Sequence, residues 1–224
     1  MKLYYHPAST TSRTVMMLAA EDGIDLEYEL VDLMTGEHLK PAYAAINPNR
    51  LVPVLEDGEF RMCESSAILK YLAEKTGSPA YPEALQAKAK VNEAMDWFNA
   101  NFYKDFGYGL IYPQLFPWHR RPDAAVQAGT IAWAKEKSKG WLTTLDQTMI
   151  GAQKSFLCGD RATIADYFGA EIVELGATIR CNWSPYPNVA RWLSNMRAIA
   201  SWPKVHEAFY GWAASLKDTP FEAI

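Results

Sequence analysis

Residues 52–77, VPVLEDGEFRMCESSAILKYLAEKTG, carry the pattern on which the fold turns. Two short runs of apolar residues are joined at Asp57-Gly58, a pair that favours the tight turn of a β-hairpin. The hydrophobic period then changes from two to three or four. Ile68, Tyr71 and Leu72 share one helical face, and Gly77 ends the helix. A hairpin followed at once by a helix needs more sheet to pair with, and the residues before it must supply that sheet.

They do so. LYY, residues 3–5, reads as a short strand, and Ser12 to Asp22 as a helix with Val15, Leu18 and Ala19 on one face and Gly23 as its stop. LEYELV, residues 26–31, alternates apolar and acidic residues as a half-buried strand does. A short helical stretch near Leu39 to Ala45 and the turn Asn47-Pro48 lead into the hairpin. The order is βαβ, then ββ, then α. It predicts an α/β unit with a small mixed sheet and helices on its faces.

After residue 76 the grammar changes. Gly77-Ser78-Pro79-Ala80-Tyr81-Pro82 is a linker by composition, and residues 77–85 are set apart as the junction. Residues 86–224 then read as helices throughout. Val91, Met95, Phe98 and Phe102 repeat at helical spacing, as do Ile164, Phe168, Ile172, Leu175 and Ile179. Val189, Trp192, Leu193 and Met196 form a third such face, and Val205, Phe209, Trp212 and Leu216 a fourth. Two domains are expected: an α/β unit over 1–76 and an all-α unit over 86–224. No internal repeat or low-complexity segment interrupts them.

Composition narrows the function. Apolar residues make up 49% of 224, enough for packed cores. A net charge of −4 offers no basic surface for nucleic acid. No apolar stretch reaches the ~18 residues of a membrane span, and MKLYYHPAST lacks the apolar core of a secretory signal. Cys63, Cys158 and Cys181 are odd in number and far apart, which reads as reduced thiols in the cytoplasm. The four histidines have no metal-ligand spacing, so no metal is expected.

Three motifs in this order carry a resemblance. NPNRLVPVLEDGEF (47–60), CESSAILKYL (63–72) and FLCGDRATIADYFGA (156–170) are similar to stretches of the cytosolic glutathione transferases. The chain resembles their serine-type, theta- and zeta-like members of bacterial cast. The resemblance implies a thioredoxin-like first domain that binds glutathione and a helical second domain that forms a hydrophobic substrate site. It also implies a homodimer with a detoxifying role, using glutathione as co-substrate and no cofactor. A non-catalytic ligand- or protein-binding module of the same fold is the alternative reading.

The resemblance assigns the peptide-binding residues. It implies a cis Val52-Pro53 bond, with the Val52 N–H and C=O pairing the peptide in strand fashion, whereas the residues alone read as an ordinary trans proline at a strand edge. Ser65 stands at a helix start, where N–H groups favour an anion; it either caps the helix, holds the γ-glutamyl carboxylate, or does both. Glu64 pairs the adjacent ammonium. His38 matches a position near the glycyl carboxylate, the other reading being a solvated loop histidine, and Arg50 is a second candidate there. Thr163 and Asp166, three apart, form a capping box, which accounts for Asp166 without a catalytic triad.

HPASTTSRTV (6–15) holds the candidate catalytic group. In the serine-type members a serine lies four residues before an arginine of the first helix; Arg13 fixes that register on Ser9. Tyrosine-type members carry tyrosine where this chain has Pro7, and cysteine-type members carry cysteine where it has Thr10. Ser9 would donate a hydrogen bond to the glutathione thiolate, worth about 1.5–3 kcal/mol, or roughly 1–2 pKa units. Thr10, Thr11 and Ser12 are left to cap the helix, with Thr10 and Ser12 the alternatives to Ser9.

Residues 97–118 hold nine aromatics in twenty-two positions, against 13% in the whole chain. Part of that excess is core. The resemblance places this helix beside the thiol as the acceptor wall, with Phe102, Tyr103, Phe106 and Trp118 as candidate lining. Tyr103 replaces the arginine that theta-like members carry six residues after the tryptophan, which weakens the case for dehalogenase or sulfate-ester chemistry.

Overall fold

The computed structural model describes residues Met1–Ile224. Strand β1 (Lys2–Tyr5), helix α1 (Thr10–Glu21) and strand β2 (Glu27–Leu30) come first. A 3₁₀ turn at Glu37–Leu39 and the one-turn helix α2 (Pro41–Ala44) lead to β3 (Val54–Asp57), β4 (Phe60–Met62) and α3 (Ser65–Thr76). The sheet runs β2-β1-β3-β4. Strand β2 is parallel to β1, which α1 makes possible as the crossover, and the other pairs are antiparallel. The expected α/β unit is therefore present.

Strand alternation splits its core into two layers. Leu3 pairs with Leu55, and both are fully buried in the main core with Val15 and Leu18 of α1 and Ile68 and Leu72 of α3. Tyr4 pairs with Val54, which turns to the other face and packs in a small cluster with Val31, Tyr43 and Val52 under α2.

Three local expectations shift. Asp57 pairs with Phe60, so the hairpin loop is Gly58-Glu59, with the positive φ of +62° that its first position needs supplied by Gly58. The half-burial expected of residues 26–31 is absent from the strand itself, because β2 is an edge and Glu27–Leu30 are all exposed; the buried residues are Leu26 and Val31 on either side. In α3 the third inward residue is Leu69, while Tyr71 lies at the margin and its hydroxyl donates to Asp57 Oδ2 at 2.6 Å.

The remaining elements are helical. Helix α4 (Leu85–Trp97) continues through wide π-type turns at Phe98–Phe102 and Lys104–Ile111 into α5 (Tyr112–Leu115). Helix α6 (Ala124–Thr144) ends in another wide turn, Leu145–Ile150, and α7 (Ile164–Glu174), α8 (Pro187–Arg197) and α9 (Trp202–Ser215) follow. All eleven residues of α7 are buried, which makes it the axis of the helical layer. Gly169 permits this, since a Cβ there would overlap the Phe98 ring. The four expected faces are buried except at their last positions, Trp212 and Leu216, which are only half-buried. No helix is long and apolar enough to cross a membrane.

The capping box forms at α7: Asp166 Oδ2 accepts from Thr163 N–H and the Thr163 hydroxyl, each at 2.8 Å. Asp166 Oδ1 goes further than a cap, accepting from Leu157 N–H at 2.8 Å and the Trp192 indole at 2.9 Å. Burial pushes this carboxyl above the ordinary carboxylate range, and the four donors oppose that push.

Candidate active site

Chain leaving β1 turns through His6, Pro7 and Ala8, and Ser9 becomes the N-cap of α1. The helix starts at Thr10, two residues before the expected Ser12, because the capping oxygen belongs to Ser9. Ser9 Oγ accepts from Ser12 N–H at 3.2 Å, and its carbonyl accepts from Arg13 N–H at 3.0 Å. The cap role assigned to Thr10, Thr11 and Ser12 thus falls to Ser9.

Each of those three hydroxyls is engaged elsewhere. Ser12 is fully buried and its Oγ accepts from His6 N–H at 3.3 Å. Thr10 Oγ1 accepts from Tyr112 at 3.5 Å, and Tyr112 Oη lies 2.5 Å from Tyr103 Oη. Thr11 spends its one proton on the Val52 carbonyl at 2.9 Å, so at the 3.2 Å contact between Ser9 and Thr11 the donor is Ser9. Ser9 lines the cleft, and its proton is held only by that 3.2 Å contact, which a molecule in the cleft can take over. The Thr10 and Thr11 N–H groups at the same helix end have no partner within the chain and add positive potential.

The cleft at Ser9 is lined by both layers. His38, Arg50 and Val52 border it from the α/β unit, and Tyr103, Tyr108, Tyr112, Phe116, Trp118 and His119 from the helices, with Trp212 reaching in from α9. No Asp or Glu lines it. Burial pushes His38 and His119 below the ordinary histidine value, raises the Tyr108 phenol to about 12 and holds that of Tyr103 well above its ordinary value. Phenols and imidazoles there are neutral at pH 7. Gly107 makes room for Tyr103, since a Cβ at 107 would overlap its ring.

A second cleft adjoins the first through Thr11, Leu51, Val52, Tyr103 and Tyr108 and reaches Pro53, Glu64 and Ser65. Val52-Pro53 is cis. The Val52 carbonyl, expected to face a peptide, is occupied by Thr11, which leaves the unpartnered Val52 N–H as the free backbone group. Glu64, exposed and with φ +67°, is the N-cap residue of α3 yet makes no capping bond. Ser65 is buried, and its hydroxyl also caps nothing. The Ser65, Ser66 and Ala67 N–H groups are therefore open at the helix start. Arg50 has no ion-pair partner and a φ of +56°, in a loop tied down by Asn47 Nδ2 and the Tyr43 hydroxyl, which both donate to Leu51 O.

Two of the expected acceptor residues are elsewhere. Phe102 and Phe106 are fully buried, stacked with centroids 4.7 Å apart in the helical core, and line neither cleft. Positions 98, 102, 106 and 110 take the core face, while 103, 108, 112 and 116 carry the cleft face. In wide turns residues four apart stay nearly in line, and that periodicity was the signal for Tyr108, Tyr112 and Phe116. Trp118 does border the cleft and is 64% exposed, stacked on Phe116 at 5.0 Å. Trp212 continues that stack from the other side of Phe116 at 5.9 Å. Its helical spacing alone reads as core.

Comparison with known proteins agrees along the chain. Residues 3–80 match the model of the glutathione S-transferase N-terminal domain, and residues 119–200 that of the C-terminal domain. A delta-class glutathione transferase of Nilaparvata lugens is 30% identical, with 96% of this chain and 98% of that one covered and a TM-score of 0.79. Human glutathione transferase theta-2, solved with glutathione and an unknown ligand, is 28% identical, with 100% and 93% covered and a TM-score of 0.84.

Proposed function

Because this chain belongs to the glutathione transferase family and is one of its enzymes, we propose that Ser9 is the residue that activates the thiol. The substrate thiol lies against the N-terminus of α1, with its thiolate accepting from the Ser9 hydroxyl. One observation carries this reading: Ser9 Oγ accepts the Ser12 N–H and lends its own proton only to the long 3.2 Å contact with Thr11, which a thiolate in the cleft can replace, while Thr11 spends its proton on the Val52 carbonyl and Ser12 is fully buried. The hydroxyl is no base; it lowers the thiol pKa by stabilising the ionised form.

The rest of glutathione follows from the donors present. The γ-glutamyl carboxylate takes the Ser65 hydroxyl and the open N–H groups of α3, and Glu64 pairs the ammonium. The cysteinyl carbonyl takes the Val52 N–H beside Pro53. His38 and Arg50 border the cleft where the glycyl carboxylate ends. The acceptor lies among Tyr103, Tyr108, Tyr112, Phe116, Trp118 and Trp212, an apolar wall with phenolic handles suited to small hydrophobic electrophiles. A homodimer is the assembly that membership of this family favours, and three unpaired cysteines favour the cytoplasm. No cofactor enters the reaction.

Conjugation assays across halides, epoxides, enones and peroxides, with glutathione omitted as control, test the enzyme against the non-catalytic reading. Trp118→Ala should change relative rates among acceptors while glutathione binds as before. A uniform loss for every acceptor contradicts its place in the wall. For the peptide half, calorimetry on Ser65→Ala should show glutathione affinity weakened by about 1–3 kcal/mol. Unchanged affinity removes Ser65 from the site.

A further inference from the structure

A buried chain of ionisable groups runs from the last helix to the residue before Ser9. Arg13, Glu171 and His206 have no exposed surface, and they come from α1, α7 and α9. Arg13 Nε donates to Glu171 Oε2 at 2.7 Å, and Arg13 Nη1 donates to the Ala8 carbonyl at 2.8 Å. The guanidinium lies 3.8 Å from the Phe209 ring centroid. His206 Nε2 is 2.9 and 3.0 Å from the two Glu171 oxygens, and its ring stacks on Trp202 at 3.7 Å while Nδ1 meets the Trp202 carbonyl at 2.9 Å.

Stability is a poor account of this arrangement. Buried ion sets are often no better than apolar residues of the same volume, because each charge loses its water. Arg13 Nη2 is left without a partner, a further cost. Burial alone would raise the Glu171 carboxyl, and the Arg13 and His206 charges overturn that and hold it below its ordinary value. What the set does accomplish is geometric. The Ala8 carbonyl belongs to the rigid peptide plane that extends to the Ser9 Cα, so fixing that oxygen restricts the direction in which Ser9 leaves the turn. Arg13 holds the oxygen, Glu171 orients the guanidinium, and His206 orients Glu171.

We propose that His206 and Glu171 are positioning residues for thiol activation, acting through Arg13 and the Ala8 carbonyl to aim the Ser9 hydroxyl. The inference rests on the reading of Ser9 as the thiol's donor. It ties the nucleophile's turn to α9, the helix that also carries Trp212 into the acceptor wall. Misdirecting a donor by a fraction of an ångström from a distance is enough to cost rate without costing affinity.

The test titrates the ultraviolet absorbance of the bound glutathione thiolate, alongside steady-state kinetics. His206→Phe keeps a ring on Trp202 but removes the donor to Glu171; His206→Gln restores an N–H near the Nε2 position. The expected result for His206→Phe is a thiol pKa raised by about one unit, with kcat at neutral pH down about tenfold and recovering at alkaline pH. KM for glutathione should be unchanged, and His206→Gln should recover most of the loss. Should His206→Phe fail to fold, Glu171→Gln, nearly the same size, is read in the same way. A thiol pKa unmoved in these variants but raised by Ser9→Ala overturns the positioning role and leaves the Ser9 reading intact. Equal loss in the Phe and Gln variants overturns it too. A thiol indifferent to Ser9→Ala as well overturns both.

Discussion

Asp166→Ala should lower stability by about 3–5 kcal/mol and the melting temperature by roughly 10 °C. The carboxylate is fully buried and accepts four hydrogen bonds, from Thr163 N–H, the Thr163 hydroxyl, Leu157 N–H and the Trp192 indole. Alanine leaves those donors facing one another in a dry site, and a donor orphaned in that way costs more than the bond itself contributed. The loss also spreads, because the same two oxygens join the start of α7, the loop at Leu157 and the middle of α8. Thermal denaturation of Asp166→Ala and Asp166→Asn checks this. Asparagine keeps the volume but turns an NH₂ group towards two donors, so it should fall well short of full rescue. A loss under about 1 kcal/mol in the alanine variant would reduce Asp166 to an ordinary helix cap.

That box was legible from Thr163 and Asp166 alone, since a cap needs only two residues three apart. The added bonds from Leu157 and Trp192 were not, because nothing local links residue 192 to residue 166. The same division holds through the molecule. The change of period at residue 63 gave the hairpin and α3, and the βαβ order gave the mixed sheet, because turns and periodicity are local. The residue pattern starts α1 two residues late, because four consecutive hydroxyls can each accept an N–H further on and only the turn at His6–Ala8 selects Ser9. Residues 97–118 stood out as aromatic, yet sorting their rings needed the wide turns that put Phe102 and Phe106 into the core and Tyr108 and Tyr112 at the cleft. The Arg13–Glu171 pair spans 158 residues and left no trace in the sequence.

Ser9→Ala should raise the pKa of the bound thiol by roughly 1–2 units, the equivalent of one charge-assisted hydrogen bond of about 1.5–3 kcal/mol. If one such bond lowers a free thiol of about 8.5 to about 7, losing it cuts the thiolate fraction at neutral pH by roughly five- to fiftyfold, and turnover falls with it. Raising the pH should recover much of the rate, since solvent then performs the ionisation. The sign follows from which form is stabilised: the hydroxyl donates to the thiolate, so its removal favours the neutral thiol and shifts the curve to higher pH. Glutathione affinity should change far less, as its carboxylates are held at other residues. One complication is built into the position, because Ser9 also caps α1, and alanine at an N-cap costs about 0.5–2 kcal/mol of stability. Glycine is tolerated there at a few tenths of a kcal/mol and equally lacks the hydroxyl. The decisive measurement is therefore the ultraviolet titration of enzyme-bound glutathione in wild type, Ser9→Ala and Ser9→Gly. The account predicts the same upward shift in both variants despite their different stabilities. A thiol that titrates as in wild type in both, or that shifts only when Thr10 or Ser12 is replaced, contradicts it.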